Sequence, residues 1–431
     1  MALTSAATEA DGLIQFVNDS PTPYHACRSA AAMLEAAGFS QVDEAASWPP
    51  GGQHYLSRGG SLVAWASPDE LPQGGGFRLV GAHTDSPNLR VRPIPDSNEA
   101  GYRQLRMEVY GGPLLNSWLD RDLGLAGRVA VAGGPRPELR LLRIDRPLLR
   151  IPQLAPHLDA SLRSEGLRLN PQTQMTPIWG MEREGAIGFR ELLAQELAVE
   201  VERVISWEMM TYDLAPATRA GGDREFISAA RLDNLGSSYA ATRALVEHAS
   251  RHPEGAPIAV ICLFDFEEIG SRASTGADSA WLSRVLERIV LARGAGREEF
   301  LRDLAGSLCV SADTTTGLDP NYLDRHDPGH RPLLNGGPAI KAHASQRYST
   351  SAPGTAAFVA ACETTGVPWQ SYSRRADVPG GGTIGPIVAA QLGVETVDVG
   401  MTALALHSCR ELCGAEDPAL LTRALAAFLA S

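Results

Sequence analysis

The 431-residue chain is short of positive charge: 38 Lys and Arg stand against 50 Asp and Glu, a formal charge of −12. That balance argues against nucleic acid as a partner, whose phosphates call for a basic face. It gives no affinity for an anionic membrane either. Long apolar runs are also missing, and nothing approaches the roughly 20 residues of a membrane helix. Ala2-Leu-Thr-Ser-Ala-Ala lacks the basic start and long apolar core of a signal peptide. Cysteine is sparse. Cys27, Cys262, Cys309, Cys362, Cys409 and Cys413 form no Cys-x-x-Cys pair and lie mostly in apolar contexts. Free buried thiols in a cytoplasmic protein are expected, not disulfides or a thiolate metal site. Cys409 and Cys413, four apart, are spaced for one helical face.

What is present is a set of apolar segments that end in carboxylates or imidazoles. Ile258 to Phe264 reads as a buried parallel strand, with Glu267 and Glu268 just past its carboxyl end. Such a pair is unfavourable without a cation or a proton to offset the repulsion. The strand beginning at Phe77 runs into His83 and Asp85, two apart and so on one side of an extended chain. Asp233 sits at the mouth of a helical pattern, Asp313 ends the run from Leu308, and His407 follows the apolar stretch Val394 to Val399. Ligands of open α/β sheets bind outside the carboxyl ends of the strands, so these five segments are expected to converge on one cleft. Nitrogen and oxygen donors without thiolate favour zinc, with manganese or cobalt as alternatives. Two metals need a bridging carboxylate, for which Asp233 is suited. Asp85 is placed to accept a hydrogen bond from His83, and Glu267 is left as the general base.

The pattern along the chain is α/β, then β-rich, then α/β again. Helices are expected from His25 to Ala37, Leu235 to Ala249, Ser279 to Ala292 and Pro418 to Ala430, with strands at Phe77, Ile258, Leu308, Pro338 and Val394. Between them, short β-like stretches such as Gln104 to Tyr110 and Gly127 to Val131 are separated by Gly and Pro. The expected architecture is a metallo-exopeptidase domain, 1–92 plus 226–431, with a central mixed or parallel sheet flanked by helices. A β-rich dimerisation domain, 93–225, interrupts it.

The segments Gly81-Ala-His-Thr-Asp-Ser-Pro87, Trp118-Leu-Asp-Arg-Asp-Leu123, Phe264-Asp-Phe-Glu-Glu-Ile-Gly-Ser-Arg272, Ser311-Ala-Asp313, Gln346-Arg-Tyr348, Thr383-Ile-Gly-Pro386 and His407-Ser408 together resemble the aspartyl aminopeptidase family, in order and across nearly the whole chain. These are dinuclear zinc exopeptidases. The resemblance implies one metal on His83 and Asp313, another on Glu268 and His407, Asp233 between them, Glu267 as base and Asp85 as orienting residue. It implies that Lys341 meets the acidic side chain of an N-terminal Asp or Glu. It also implies that His157, in Ile151-Pro-Gln-Leu-Ala-Pro-His-Leu158, reaches a neighbouring subunit's active site within a dimer-based homo-oligomer, commonly a dodecamer. Three departures bear on substrate preference: Thr314-Thr-Thr-Gly317 where the family usually has Met-Ala-His-Ala, Phe266 for a histidine, and Pro379-Gly-Gly-Gly382 for Pro-Cys-Gly-Ser. The alternatives are a neutral-residue aminopeptidase, an N-acyl amino acid deacylase, or a silent scaffold of the same fold.

Overall fold

The structure, a computed structural model, describes residues 6–68, 75–251, 255–378 and 380–431. The chain folds as two compact units. One comprises 1–85, 217–406 and 411–431; the other comprises 86–216 with 407–410.

The first unit is built on a nine-stranded mixed sheet. Its centre is four parallel strands in the order Ile258–Phe264, Phe77–His83, Leu308–Ala312 and Glu395–Gly400. Ser61–Ser67 pairs antiparallel with the first of these, and Ala339–Lys341 antiparallel with the last. Alternate side chains of a strand face opposite ways, and here both faces are covered. Val80 and Ala82 point into a core shared with the helices Ala6–Asp19, Pro23–Ala36, Leu232–Arg251 and Asp417–Leu429. Phe77 and Leu79 point into another, shared with Trp281–Ala292 and Phe300 of Arg297–Ala305. Burial on both sides is why these strands read as continuous apolar runs instead of alternating ones. The helix expected from His25 starts earlier, because Thr22 caps it through the His25 N–H and Pro23 supplies a pre-set first turn. Gly38, at φ +92, ends it.

The second unit is a six-stranded antiparallel sheet in the order Glu138–Leu149, Leu123–Val131, Val204–Asp213, Asn88–Glu99, Tyr102–Tyr110 and Ile178–Met181. The helix Phe189–Leu197 contributes Phe189, Leu192 and Leu193 to its core. The division falls at 85/86 and 216/217, not at 92/93 and 225/226. Residues 88–91 already pair with 107–110 in the second sheet. Residues 218–220 pair with 226–228 in a small sheet of the first unit, which continues through Glu411–Gly414 and Thr402–Leu404 to Thr315–Thr316. The cysteines are all free and buried. Cys409 and Cys413 share no helical face: Cys413 is on the Glu411–Gly414 strand, and Cys409 packs in the core of the second unit. Among the described residues no helix is long and apolar enough to cross a membrane.

Candidate metal centre

The strands deliver their last residues to one place. His83 ends its strand fully buried, and its main-chain carbonyl is held by Ser238 Oγ at 2.7 Å. Its Nε2 lies 3.4 Å from Asp233 Oδ1, 3.5 Å from Asp313 Oδ2 and 3.9 Å from Glu267 Oε2. Donor atoms of His83, Asp233 and Asp313 all fall within 4.8 Å of one another, as do those of His83, Glu267 and Glu268. One buried imidazole ringed by four carboxylates, with no thiolate, is a donor set that fits a divalent metal such as zinc.

Asp85 does more than orient the His83 ring, which its carboxylate approaches to 3.4 Å. Its carboxylate oxygens each accept one main-chain N–H, from Glu267 at 3.1 Å and Glu268 at 3.1 Å. The His83 Nδ1 also meets the Asp85 main-chain carbonyl, at 3.0 Å. Asp85 therefore fixes the glutamate turn and the imidazole at once. Asp233 is anchored by its own N–H, which donates to Glu411 Oε2 at 3.0 Å. Its neighbour Asn234 donates to the Ala312 carbonyl at 2.8 Å and accepts from Thr314 Oγ1. Glu411, Ser238 and Asn234 were not among the residues expected to shape the site.

The charges respond to this crowding. Burial pushes the Glu267 carboxyl up to about 8, opposed by His83 and reinforced by Asp313, Asp85 and Asp233. Burial, with Asp233, raises Glu268 well above the carboxylate range. Burial alone would lower His83, but contacts with Asp233, Asp313 and Asp85 hold it well above its ordinary value. Burial would raise Asp313, yet Lys341 and His83 outweigh it and bring the group to about 2.

Lys341 is the only lysine in the chain, and the structure gives it a partner other than substrate. It is 2% exposed, with Nζ 2.5 Å from Asp313 Oδ1 and 3.1 Å from the Thr314 carbonyl. His157 lies in the second unit on an exposed segment, flanked by Leu154 and Leu158, themselves 55% and 75% exposed. His407 belongs to the 407–410 segment of the second unit. There its Nδ1 is 2.9 Å from the Gly112 carbonyl, and its own carbonyl accepts the Leu114 N–H. Pro379 lies outside the described residues.

A histidine–carboxylate cluster at the carboxyl ends of parallel strands fits the donor set of a metal-dependent hydrolase. The family model for the aminopeptidase I zinc metalloproteases (M18) matches residues 16–429. The probable M18 family aminopeptidase 2 of Streptomyces coelicolor is 49% identical over 424 residues, 97% of each chain. That of Mycobacterium leprae is 46% identical over 430 residues, 99% of each. Among solved structures, one described as the Ape4 and Nbr1 complex superposes with a TM-score of 0.94 at 36% identity, over 98% of this chain and 86% of that one. An M18 aminopeptidase from Thermotoga maritima shares the fold at a TM-score of 0.85 and 24% identity, over 97% and 95%. The chain belongs to the aminopeptidase I zinc metalloprotease family, M18, which includes the aspartyl aminopeptidases. Its activity is that of a zinc aminopeptidase.

Proposed function

We propose that this aminopeptidase uses two divalent metals, most simply zinc, to release N-terminal residues, preferring Asp or Glu. The observation that carries the reading is the packing of His83 with Asp233 and Asp313 in one donor group and with Glu267 and Glu268 in another. In this reading His83 and Asp313 hold one ion, Glu268 and His407 the other, and Asp233 both. Bound metal would polarise the scissile carbonyl and lower the pKa of water. Glu267 takes the proton from the attacking water and returns it to the leaving amine. Burial already makes Glu267 far more basic than an exposed glutamate. Asp85 keeps both glutamates in register, since a shift of either main-chain N–H would break one of its two hydrogen bonds. Manganese or cobalt would suit the same donors.

The protein is further proposed to be a cytoplasmic homo-oligomer, with the second unit at a dimer interface and His157 donating a hydrogen bond to the oxyanion in a neighbour's site. One solved relative, the mApe1 of Saccharomyces cerevisiae, is described as a dodecamer, and the exposed Leu154 and Leu158 beside His157 offer apolar surface to a second copy. A neutral-residue preference has one observation in its favour, the engagement of Lys341 by Asp313. Hydrolysis of Asp-, Glu-, Leu- and N-acyl-capped dipeptides by metal-reconstituted protein separates the readings. Higher kcat/KM on Asp- and Glu-peptides supports the acidic preference, and faster turnover of Leu-peptides overturns it. Metal content near one ion per chain in the active enzyme would overturn the two-metal reading.

A further inference from the structure

The strands Gly52–Arg58 and Ser61–Ser67 pair as a hairpin, Arg58 opposite Ser61, with Gly59 and Gly60 at its tip. The tip bears no reactive group, yet it is tied to two of the loops that supply the donor cluster. The Gly60 carbonyl accepts from Thr84 Oγ1 at 2.6 Å, and Thr84 stands between His83 and Asp85. That hydroxyl and the Thr84 N–H also reach the Phe264 carbonyl, at 3.2 and 2.8 Å. Ser61 Oγ accepts the Asp265 N–H at 2.9 Å and donates to the Thr275 carbonyl at 3.0 Å. Those two partners bracket the segment that carries Glu267 and Glu268. Ser61 and Asp265 are both fully buried, so water offers no ready substitute for a lost bond.

Asp265 passes this restraint along the chain. Its Oδ1 accepts the Phe266 N–H at 2.8 Å, and Phe266 sits at φ +70. A phenylalanine stays in left-handed backbone only where its surroundings impose it. The next two N–H groups, of Glu267 and Glu268, go to the Asp85 carboxylate. Asp85 thus restrains the glutamates themselves, and the hairpin tip restrains the residue that starts their turn. Residue 60 must be small for this contact. A Cβ built there would overlap the Asp265 carboxylate and the ring of Pro23, which is fixed at the start of the helix Pro23–Ala36.

We infer that Gly60 and Ser61 are positioning residues for Glu267: they aim the general base without touching metal or substrate. The inference rests on Glu267 as the base and names what keeps it aimed. The test compares native protein with Ser61→Ala, Gly60→Ala, Thr84→Val, Thr84→Ser and Glu267→Gln, and with Ser61→Ala combined with Glu267→Gln. Each is loaded with zinc, and its metal content and Tm are recorded. The readouts are kcat and KM on the dipeptide that the native enzyme cleaves fastest. Ser61→Ala and Gly60→Ala are expected to lower kcat about 10- to 100-fold, since a misplacement of about 1 Å can cost that much. KM should stay within about threefold of native, because no substrate contact is removed. Thr84→Val should follow them, and Thr84→Ser, which keeps the hydroxyl, should restore most of the rate. Because the tip acts through Glu267, adding Ser61→Ala to Glu267→Gln should cost no further rate. Native kcat in metal-loaded Ser61→Ala and Gly60→Ala overturns the inference, whatever happens to Tm. An additive loss in the double variant overturns it too, as does Thr84→Ser as slow as Thr84→Val, since both mark a general structural effect. Should Gly60→Ala not fold, Ser61→Ala and the double variant decide. Near-native turnover in Glu267→Gln would remove the base reading and this inference with it; an inactive Glu267→Gln beside native tip variants removes this inference alone.

Discussion

Asp85 shows how much of this centre depends on a side chain that need not touch metal or substrate. Its two oxygens take the two amides of the glutamate turn, and its carbonyl takes the imidazole. Asp85→Ala should therefore weaken zinc affinity about 10- to 100-fold, the usual loss when a group orienting metal ligands is removed, as read by chelator competition. Glu267→Gln should keep its metal and lose about two to four orders of magnitude in rate; near-native turnover would remove Glu267 from the role of base. Protons supply another check. With Glu267 up at about 8 and Glu268 and His83 also raised, the metal-free cluster holds protons that a dication must displace. Zinc affinity should rise with pH up to about 8, and calorimetry in buffers of different ionisation enthalpy should report proton release on binding. Zinc binding without proton release would mean the cluster is already ionised. That His83, Asp233, Glu267, Glu268 and Asp313 come close together could be read from sequence, because each follows an apolar strand or opens a helix. Glu411 and Ser238 could not. They act through main-chain hydrogen bonds to Asp233 and His83, far away in the chain, and no local pattern encodes a through-space partner. The pairing of Lys341 with Asp313 escaped for the same reason.

Among the elements, the parallel strands were the easiest to foresee, because burial on both faces leaves an unbroken apolar run between polar ends. Edges were harder. The strands Thr218–Ala220 and Thr315–Thr316 are three and two residues long, too short for any periodicity. The resumption of the first unit at Ala217, before Phe226, was therefore not legible in the sequence. The final helix carries a separate pH signal. Asp417 in its first turn is buried, and its Oδ2 accepts the N–H groups of Asn335 at 2.9 Å and Gly414 at 3.1 Å. Burial pushes it up to about 7, the hydrogen bonds opposing. The folded chain therefore binds this proton more tightly than the unfolded chain does. The resulting stabilisation is fully present below about pH 4 and is lost as pH rises through about 7, by at most about 1.4 kcal/mol per pH unit. Asp417→Asn should flatten that part of the stability curve, measured as Tm from pH 4.5 to 7.5. An identical slope in the variant would show that Asp417 does not titrate there.

For the whole molecule, the interruption of one unit by another ties assembly to catalysis in the proposed reading. If His157 completes a neighbour's site, His157→Ala should lose about 10²–10³ in kcat, as expected for one oxyanion donor. Mixed and reassembled with Glu267→Gln, it should regain partial activity, because some sites then combine a native Glu267 with a native His157. No recovery after confirmed subunit exchange would place His157 in its own chain's site or outside catalysis. The lone lysine has a consequence of another kind. Lys341 is 2% exposed and bonded on two sides, so the folded chain presents no side-chain amine to solvent. Acylating reagents, aldehyde cross-linkers and any enzyme that forges an isopeptide bond on lysine find no ε-amino acceptor on its surface. The first adduct on that nitrogen would mark the moment the metal centre comes apart.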